Sequence, residues 1–199
     1  NNSGEIHLEV NNLDKEFLYI NSLSRGIGNN DLGLDRGQLG NTRIVFFTKR
    51  GNKILMVQPN TRYVSNSDNY LENKAVEEAF ARSVLFSFEI IEEKNNNYII
   101  DLTPLLMNDA HGVSQRLRFS NSGNYSLNKS MSAIELDRTK AFPKNIEFDV
   151  ILTFTGNPMG NLVRSVTPTA SNITVNQHHS FVELPDKNYK KRKFDPRSG

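Results

Sequence analysis

A regular alternation of apolar and polar side chains over residues 146–154 constrains the fold of this chain more than any other feature. Side chains of a β-strand point alternately to opposite faces, so this pattern predicts a half-buried strand. The segment Met131–Asp137 precedes it as a predicted partner strand, joined through the loop Arg138–Asn145. The apolar face would consist of Ile146, Phe148, Val150, Leu152 and Phe154.

Two pairs of apolar segments are separated by short turn sequences that predict β-hairpins. Thr42–Lys49 and Lys53–Gln58 flank Arg50, Gly51 and Asn52, and Ser87–Lys94 and Tyr98–Leu102 flank three asparagines. Asparagine and glycine accept the left-handed backbone that tight hairpin turns require. Consecutive hairpins imply a mainly antiparallel sheet. Further strand candidates are Glu16–Leu23 and Asn172–Glu183.

One segment, between Glu72 and Val84, has the apolar spacing of an amphipathic helix. A short helical turn is also predicted after Thr103 and Pro104. The fold class is therefore α+β: a mainly antiparallel, twisted β-sheet built from hairpins, with one principal α-helix packed against it and long loops. The expected core includes Val76, Phe80, Val84, Phe148, Val150, Leu152 and Phe154.

The chain is expected to hold one domain with two short flanking segments. Residues 1–15 would form a poorly ordered or edge segment, residues 16–186 a single β-rich domain, and residues 187–199 a basic connector. Three long loops are predicted, and loops of such length are usually functional or packed against a neighbour. They are Ser24–Gly40, Asp109–Asn128 and Gly156–Ser171.

Composition excludes several function classes. The chain of 199 residues has 24 basic and 22 acidic residues, and its net charge of +2 gives no field that would attract nucleic acid. It has no cysteine, which removes disulfides and thiol nucleophiles, and no apolar run long enough for a transmembrane segment. The motifs HExxH, GxSxG, the phosphate-binding P-loop and GxGxxG are all missing, so no catalytic residue is predicted.

Histidines and nearby acidic residues are the candidates for a site. Asp109 and His111 could pair beside a metal or at a general base, or could simply form a loop turn. His178 and His179 are adjacent in a predicted strand, so one should pack inward and the other face a cleft or water. A zinc site built from His111 and one of this pair is the alternative, and a self-contained hydrolase would need such convergence.

The glycine-rich segment 26–40 resembles a phosphate-binding loop only in composition, because a strand and not a helix is predicted after it. Asp35 and Arg36 are therefore expected to form a salt bridge that holds a tight loop.

Seven short motifs, in chain order, resemble one family over nearly the whole chain. This is the domain of unknown function that precedes the catalytic domain in exported bacterial zinc metalloproteases of the metzincin-like, HExxH type. The matching stretches are Gly33–Gly40, Gln58–Arg62, Phe80–Val84, Asp109–Gly112, Ala141–Asn145, His178–Pro185 and Phe194–Gly199.

The resemblance implies a non-catalytic N-terminal domain of a secreted zinc metalloprotease, which supports the catalytic domain and shapes its substrate cleft. The zinc would lie in the downstream catalytic domain of the same chain, so this segment has neither catalytic nor metal residues. The protein would be exported to the periplasm or outer surface of a Gram-negative bacterium. Contacts with the catalytic domain or a peptide substrate are expected from Asp35, Arg36, His111, His178, His179 and Arg197.

The alternative is a free-standing peptide- or glycan-binding module of an exported protein. Such a module would bind through a groove containing exposed aromatic side chains, for which Tyr63, Tyr70 and Tyr125 are the candidates.

Overall fold

The computed structural model describes residues 4–186, 188–190, 192, 195 and 197. Residues 1–3 and much of the predicted connector 187–199 therefore lie outside the described residues. In the described part, strands are the dominant element, and all the strand pairs are antiparallel. No helix in this part is both long and apolar enough to cross a membrane.

The described residues form one sheet of eleven strands that curls into a half-barrel. The strands are β1 (His7–Val10), β2 (Phe17–Arg25), β3 (Leu39–Arg50), β4 (Lys53–Gln58), β5 (Ser83–Lys94), β6 (Asn97–Asp101), β7 (Gly123–Leu127), β8 (Ala133–Ile134), β9 (Lys140–Phe142), β10 (Asn145–Pro158) and β11 (Asn172–Glu183). Their spatial order is β1-β6-β5-β4-β3-β2-β11-β10, and β7, β8 and β9 share the free side of β10.

Both predicted hairpins are confirmed, as β3–β4 and β5–β6. Each is closed by two residues between its strands, and three of these four residues have left-handed backbone: Gly51 at φ 60°, Asn95 at 51° and Asn96 at 62°. Left-handed turns match the twist of the flanking strands, which is why glycine and asparagine mark them in the sequence.

The alternation at residues 146–154 is confirmed as part of β10, a central strand that pairs with β11 over most of its length. Phe148, Val150, Leu152 and Phe154 are buried, as expected from the apolar face of the pattern. The predicted partner Met131–Asp137 is strand only at β8, because short 3-10 turns at Lys129–Met131 and Leu136–Arg138 interrupt it.

The principal helix was wrongly predicted to pack against the sheet. Helix α1 (Tyr70–Ala79) has no buried residue. Val76 is half-buried, and Phe80 and Val84 are exposed, so none of the three belongs to the buried core. Helix α1 ends before Phe80, whose ring stacks on Tyr63 at a centroid distance of 4.2 Å.

The predicted loop Asp109–Asn128 is also corrected. It contains helix α3 (Val113–Phe119) and strand β7, and α3 packs against β7. The short helix α2 (Thr103–Leu106) confirms the predicted helical turn. The predicted loop Ser24–Gly40 contains the end of β2, a 3-10 turn at Asn30–Leu32 and the start of β3. The predicted loop Gly156–Ser171 contains the end of β10, and its residues 159–171 have neither helix nor strand.

Candidate functional site

A network of buried polar side chains lies inside the half-barrel and is centred on Gln177 of β11. Its Oε1 accepts a hydrogen bond from the backbone N–H of His111 at 2.8 Å. Its Nε2 donates to the carbonyl of Asn108 at 2.9 Å and lies 2.9 Å from Nε2 of His179. Both amide hydrogens are thereby used, so His179 accepts at Nε2 and its Nδ1 proton faces the Tyr19 hydroxyl at 2.8 Å.

Burial decides the charge of this network. It lowers the pKa of His179 to about 4, so the imidazole is neutral near pH 7. Burial likewise raises the pKa of the Tyr19 hydroxyl and, together with Arg116, lowers the pKa of His111. The interior is thus a neutral hydrogen-bonded network whose main effect is to hold the segment between α2 and α3 onto β11.

Three of the seven sequence motifs, those at residues 33–40, 109–112 and 178–185, contribute residues to this network. The carboxylate of Asp109 accepts hydrogen bonds from the N–H groups of Val113 and Ser114, at 2.7 and 2.9 Å, and so caps the start of α3. His111 is buried, and its Nε2 lies 3.5 Å from the carbonyl of Gly33 in the glycine-rich segment. Asp109 therefore makes a turn, as one of the two sequence hypotheses had it, but His111 beside it is not exposed.

A second polar cluster lies on the opposite face of β10 and β11. Nε2 of His178 lies 2.9 Å from Oε2 of Glu147. Oδ2 of Asp149 accepts from Nε of Arg138 at 2.6 Å, and its Oδ1 accepts from Oγ of Ser24 at 2.5 Å. This arrangement follows from the strand register, which places Asp149 opposite His178.

The ionised forms of this outer cluster stabilise one another. The carboxylate of Asp149, 3.7 Å from Nδ1, raises the pKa of His178, although burial opposes the shift. Burial acts to raise the pKa of Asp149, but the neighbouring His178 and the hydrogen bonds from Ser24 and Arg138 together hold it below its ordinary value. The Ser180 hydroxyl donates to Glu147 and not to a histidine, so the cluster lacks the geometry of a serine nucleophile with its base.

The structure separates the six predicted contact residues. His179 and His111 lie in the interior, on the opposite face of the sheet from His178, so neither is available to a partner at the surface. Asp35 is half-buried and Arg36 is exposed, and the described residues show no salt bridge between them. Arg197 is exposed and pairs with Asp195, at 3.0 Å from Nε and 2.8 Å from an Nη nitrogen. Contact with another domain stays a prediction for Asp35, Arg36, His178 and Arg197.

No three histidine, aspartate or glutamate side chains converge as metal ligands anywhere in the described part of the chain. His111 and His179 approach each other only through Gln177, which bonds to both residues.

An open cleft of about 430 Å³ lies at one end of the half-barrel. Its apolar lining includes Phe17 of β2, Phe47 of β3, Phe148 of β10 and Phe181 of β11. Residues 8–12 and 15–16 border one side, and the turn between β9 and β10, at residues 142–146, borders another. Mouths of β-barrels are common places for ligand sites of this size.

Sequence reasoning missed Gln177, Tyr19, Glu147 and Asp149. The alternation in β10 held a usable signal for two of them, because it places Glu147 and Asp149 together on the face opposite the core. For Gln177 there was no such signal, since its backbone partners are 66 and 69 residues away in the chain.

The fold and these sites define a β-rich domain on a single curled antiparallel sheet, with a closed polar interior and an open apolar mouth. The family model of DUF5117, a domain of unknown function, matches residues 37–199, and the chain belongs to this family. Comparisons with curated proteins and with solved structures give no match.

Proposed function

We propose that this chain is the non-catalytic N-terminal domain of a secreted zinc metalloprotease and supports the catalytic domain that follows it. The order of the seven sequence motifs supports this role. The catalytic zinc is expected in the downstream domain, and no residue of this chain is assigned to it. Export to the periplasm or outer surface of a Gram-negative bacterium is part of the same proposal and rests on the same motifs.

The structural observation that carries the proposal is an arm with exposed apolar side chains, residues 59–82, between β4 and β5. Helix α1 within it buries no side chain, and Tyr70 and Leu71 at its start are 71% and 69% exposed. Val64 in the arm and Val84, at the start of β5, are exposed as well. Apolar side chains left exposed within one segment make that segment a candidate for a surface that another protein covers.

The arm is folded although its helix buries no side chain against the sheet. The side chain of Asn69 accepts a hydrogen bond from the N–H of Leu71 at 2.9 Å and caps α1. Tyr63 stacks on Phe80, which joins the two ends of the arm. An isolated helix of ten residues is marginally stable in water, so contact with a partner would add the burial that this helix lacks. The proposed occupant is the catalytic domain of the same protein.

The first test compares this chain with the longer protein that continues into the catalytic domain. Peptidase activity and about one bound zinc per molecule are expected only in the longer protein. Activity or stoichiometric zinc in the 199-residue chain alone would contradict the proposal.

A second measurement tests the arm itself. Hydrogen exchange of residues 63–82 should slow in the longer protein, because burial of α1 would suppress its local opening. The variant Leu71→Ser should remove part of this protection, and Phe119→Ser, at a side chain 75% exposed outside the arm, should not. Identical exchange of the arm in both proteins would rule out this contact.

The free-standing binding module stays the second candidate because of the cleft at the mouth of the half-barrel. The aromatic groove predicted for it is only partly available. Tyr125 is buried and its hydroxyl donates to the carbonyl of Ala170 at 2.5 Å. Tyr63 and Tyr70 are exposed, but both belong to the arm. Affinity of the isolated chain for a peptide or glycan would favour this candidate.

A further inference from the structure

The cleft at the mouth of the half-barrel has a rigid aromatic floor. Phe17 lies 5.0 Å from Phe47 and 5.9 Å from Phe181, and Phe148 meets Phe181 edge-on at 5.8 Å, measured between ring centroids. Phe47, Phe148 and Phe181 are almost fully buried, so their positions are set by the core and not by a ligand. Such a floor is ready to receive an apolar side chain with little reorganisation.

A free strand edge lies beside this floor. Strand β1 ends the sheet and pairs only with β6 among the described residues. Leu8, Glu9 and Val10 of β1 line the cleft. The second edge of β1 therefore presents backbone N–H and C=O groups that an added strand could pair with.

The charged rim of the cleft is unbalanced towards the acidic side. It contains the carboxylates of Glu9, Glu16 and Glu183 and the amines of Lys15 and Lys144. Lys15 is neutralised by Glu183, since their charged atoms lie 2.8 Å apart. Glu9 accepts a hydrogen bond from the amide of Asn97 at 2.6 Å but has no cationic partner among the residues that the structure describes.

Glu16 completes this acidic side, because it has neither an ion-pair partner nor a hydrogen bond among the described contacts. A basic group on a bound molecule would find two carboxylates there against the single amine of Lys144.

We propose that this cleft binds an extended peptide segment in which apolar and basic residues alternate. The segment adds to the free edge of β1, inserts an apolar side chain over the phenylalanine floor and places Lys or Arg beside Glu9 and Glu16. Alternation is required because successive side chains of a strand point to opposite sides. The inference concerns this chain alone and needs no catalytic domain, so it can fail or hold independently of the proposed support role.

The test uses fluorescein-labelled, end-capped hexapeptides and fluorescence anisotropy with the 199-residue chain. The probes are alternating Lys and Leu, alternating Glu and Leu, alternating Lys and Ser, and the Lys–Leu peptide with alternate backbone nitrogens methylated. The Lys–Leu peptide is expected to bind at least roughly tenfold more tightly than each of the other three. Absence of binding up to about 1 mM, or equal binding of the Leu- and Ser-containing peptides, would overturn the proposal.

Two pairs of variants locate the binding at the cleft. Glu16→Lys should shift the preference from the Lys–Leu towards the Glu–Leu peptide, while Glu72→Lys on α1 should leave it unchanged. A gain of affinity of Glu16→Lys for the Glu–Leu peptide cannot come from misfolding.

Phe142→Ser should weaken Lys–Leu binding by roughly tenfold, because Phe142 borders the cleft, and Phe119→Ser should not. Both side chains are largely exposed, so neither change should unfold the chain. Equal effects of the two members of either pair would place binding outside the cleft and refute the assignment.

Discussion

The adjacent histidines of β11 should respond to pH in opposite ways, because they lie on opposite faces of the sheet. Burial lowers the pKa of His179 from 6.5 to about 4. The nearby carboxylate of Asp149 raises the pKa of His178 above its ordinary value of 6.5. The stability of the domain in mildly acidic solution therefore depends on two neighbouring residues with contributions of opposite sign.

The sign for His179 follows from proton uptake. Between pH 6.5 and about 4 the unfolded chain binds a proton at this residue and the folded chain does not. The free energy of unfolding therefore falls as the pH drops through this range, by about 3 kcal/mol in total. His178 acts in the other direction: its stabilising contribution is complete below pH 6.5 and is lost as the pH rises through its higher folded-state pKa.

The assay is urea denaturation of the wild type, His179→Gln and His178→Gln at several pH values between about 4 and 7.5. His179→Gln should be less stable than the wild type at neutral pH, and this difference should shrink by about 3 kcal/mol towards pH 4. His178→Gln should instead lose stability more steeply on acidification. His111 also titrates, but it is present in all three proteins. His178 lowers the pKa of Asp149, so this pKa changes in His178→Gln, and the comparison of the wild type with His179→Gln is the one that tests the assignment. Parallel pH profiles of the wild type and His179→Gln would refute the assignment of a neutral, buried His179.

Three further substitutions test the interior network, the apolar core and the arm. Gln177→Leu should lower the free energy of unfolding by roughly 1–3 kcal/mol, because it leaves the N–H of His111 buried without a partner, whereas the carbonyl of Asn108 keeps its hydrogen bond from the N–H of Ala110. The exposed Gln115→Leu is the control, and a loss no larger than that of the control would contradict the network. Leu152→Ala should cost about 2–5 kcal/mol, whereas Leu71→Ser in the arm should change stability by no more than about 0.5 kcal/mol, both by urea denaturation. A large loss for Leu71→Ser would show that the arm packs on this domain.

The strands could be predicted because their signals are local. Period-two alternation marks β10 whatever its neighbours are, and Gly51, Asn95 and Asn96 mark hairpin turns through their own backbone preferences. The missed helix α3 had a local signal as well. Asp109 precedes it by four residues and caps it, and Gly112, at φ 76°, supplies the left-handed residue before its first turn.

The wrong prediction for α1 shows that the spacing of apolar residues along a helix does not determine where the helix packs. The spacing of Val76 and Phe80 indicates an amphipathic helix, but it does not say which surface covers the apolar side. In this chain Phe80 lies just beyond the end of the helix and stacks on Tyr63, so its ring packs within the arm and not on the sheet. The same observation that makes the prediction of a buried helix wrong makes the arm a candidate contact surface.

The candidate sites depend on registers that the sequence does not show. The opposite orientation of His178 and His179 follows from their adjacency, and inward packing of one of them was expected on that ground. Which one packs inward depends on the pairing of β11 with β10, which places His179 beside Phe148 and His178 beside Asp149. To predict the cleft, one would need the pairing of strands that are still farther apart in the chain, because its lining comes from β1, β2, β3, β10 and β11.

Strand β11 links the polar interior to the apolar mouth. Its inward face carries Gln177, His179 and Phe181 in succession. A slip of one residue would turn all three outward and would bring His178 into the core, away from Glu147 and Asp149. That would bury a basic side chain without its partners and leave the backbone N–H of His111 unpaired, and both changes are costly. A strand with only apolar side chains would bury more apolar surface. A slip of such a strand would cost less, because no buried polar group would lose its partner. Gln177 and His179 therefore favour the observed register of β11. This register also places Phe181 at the floor of the cleft.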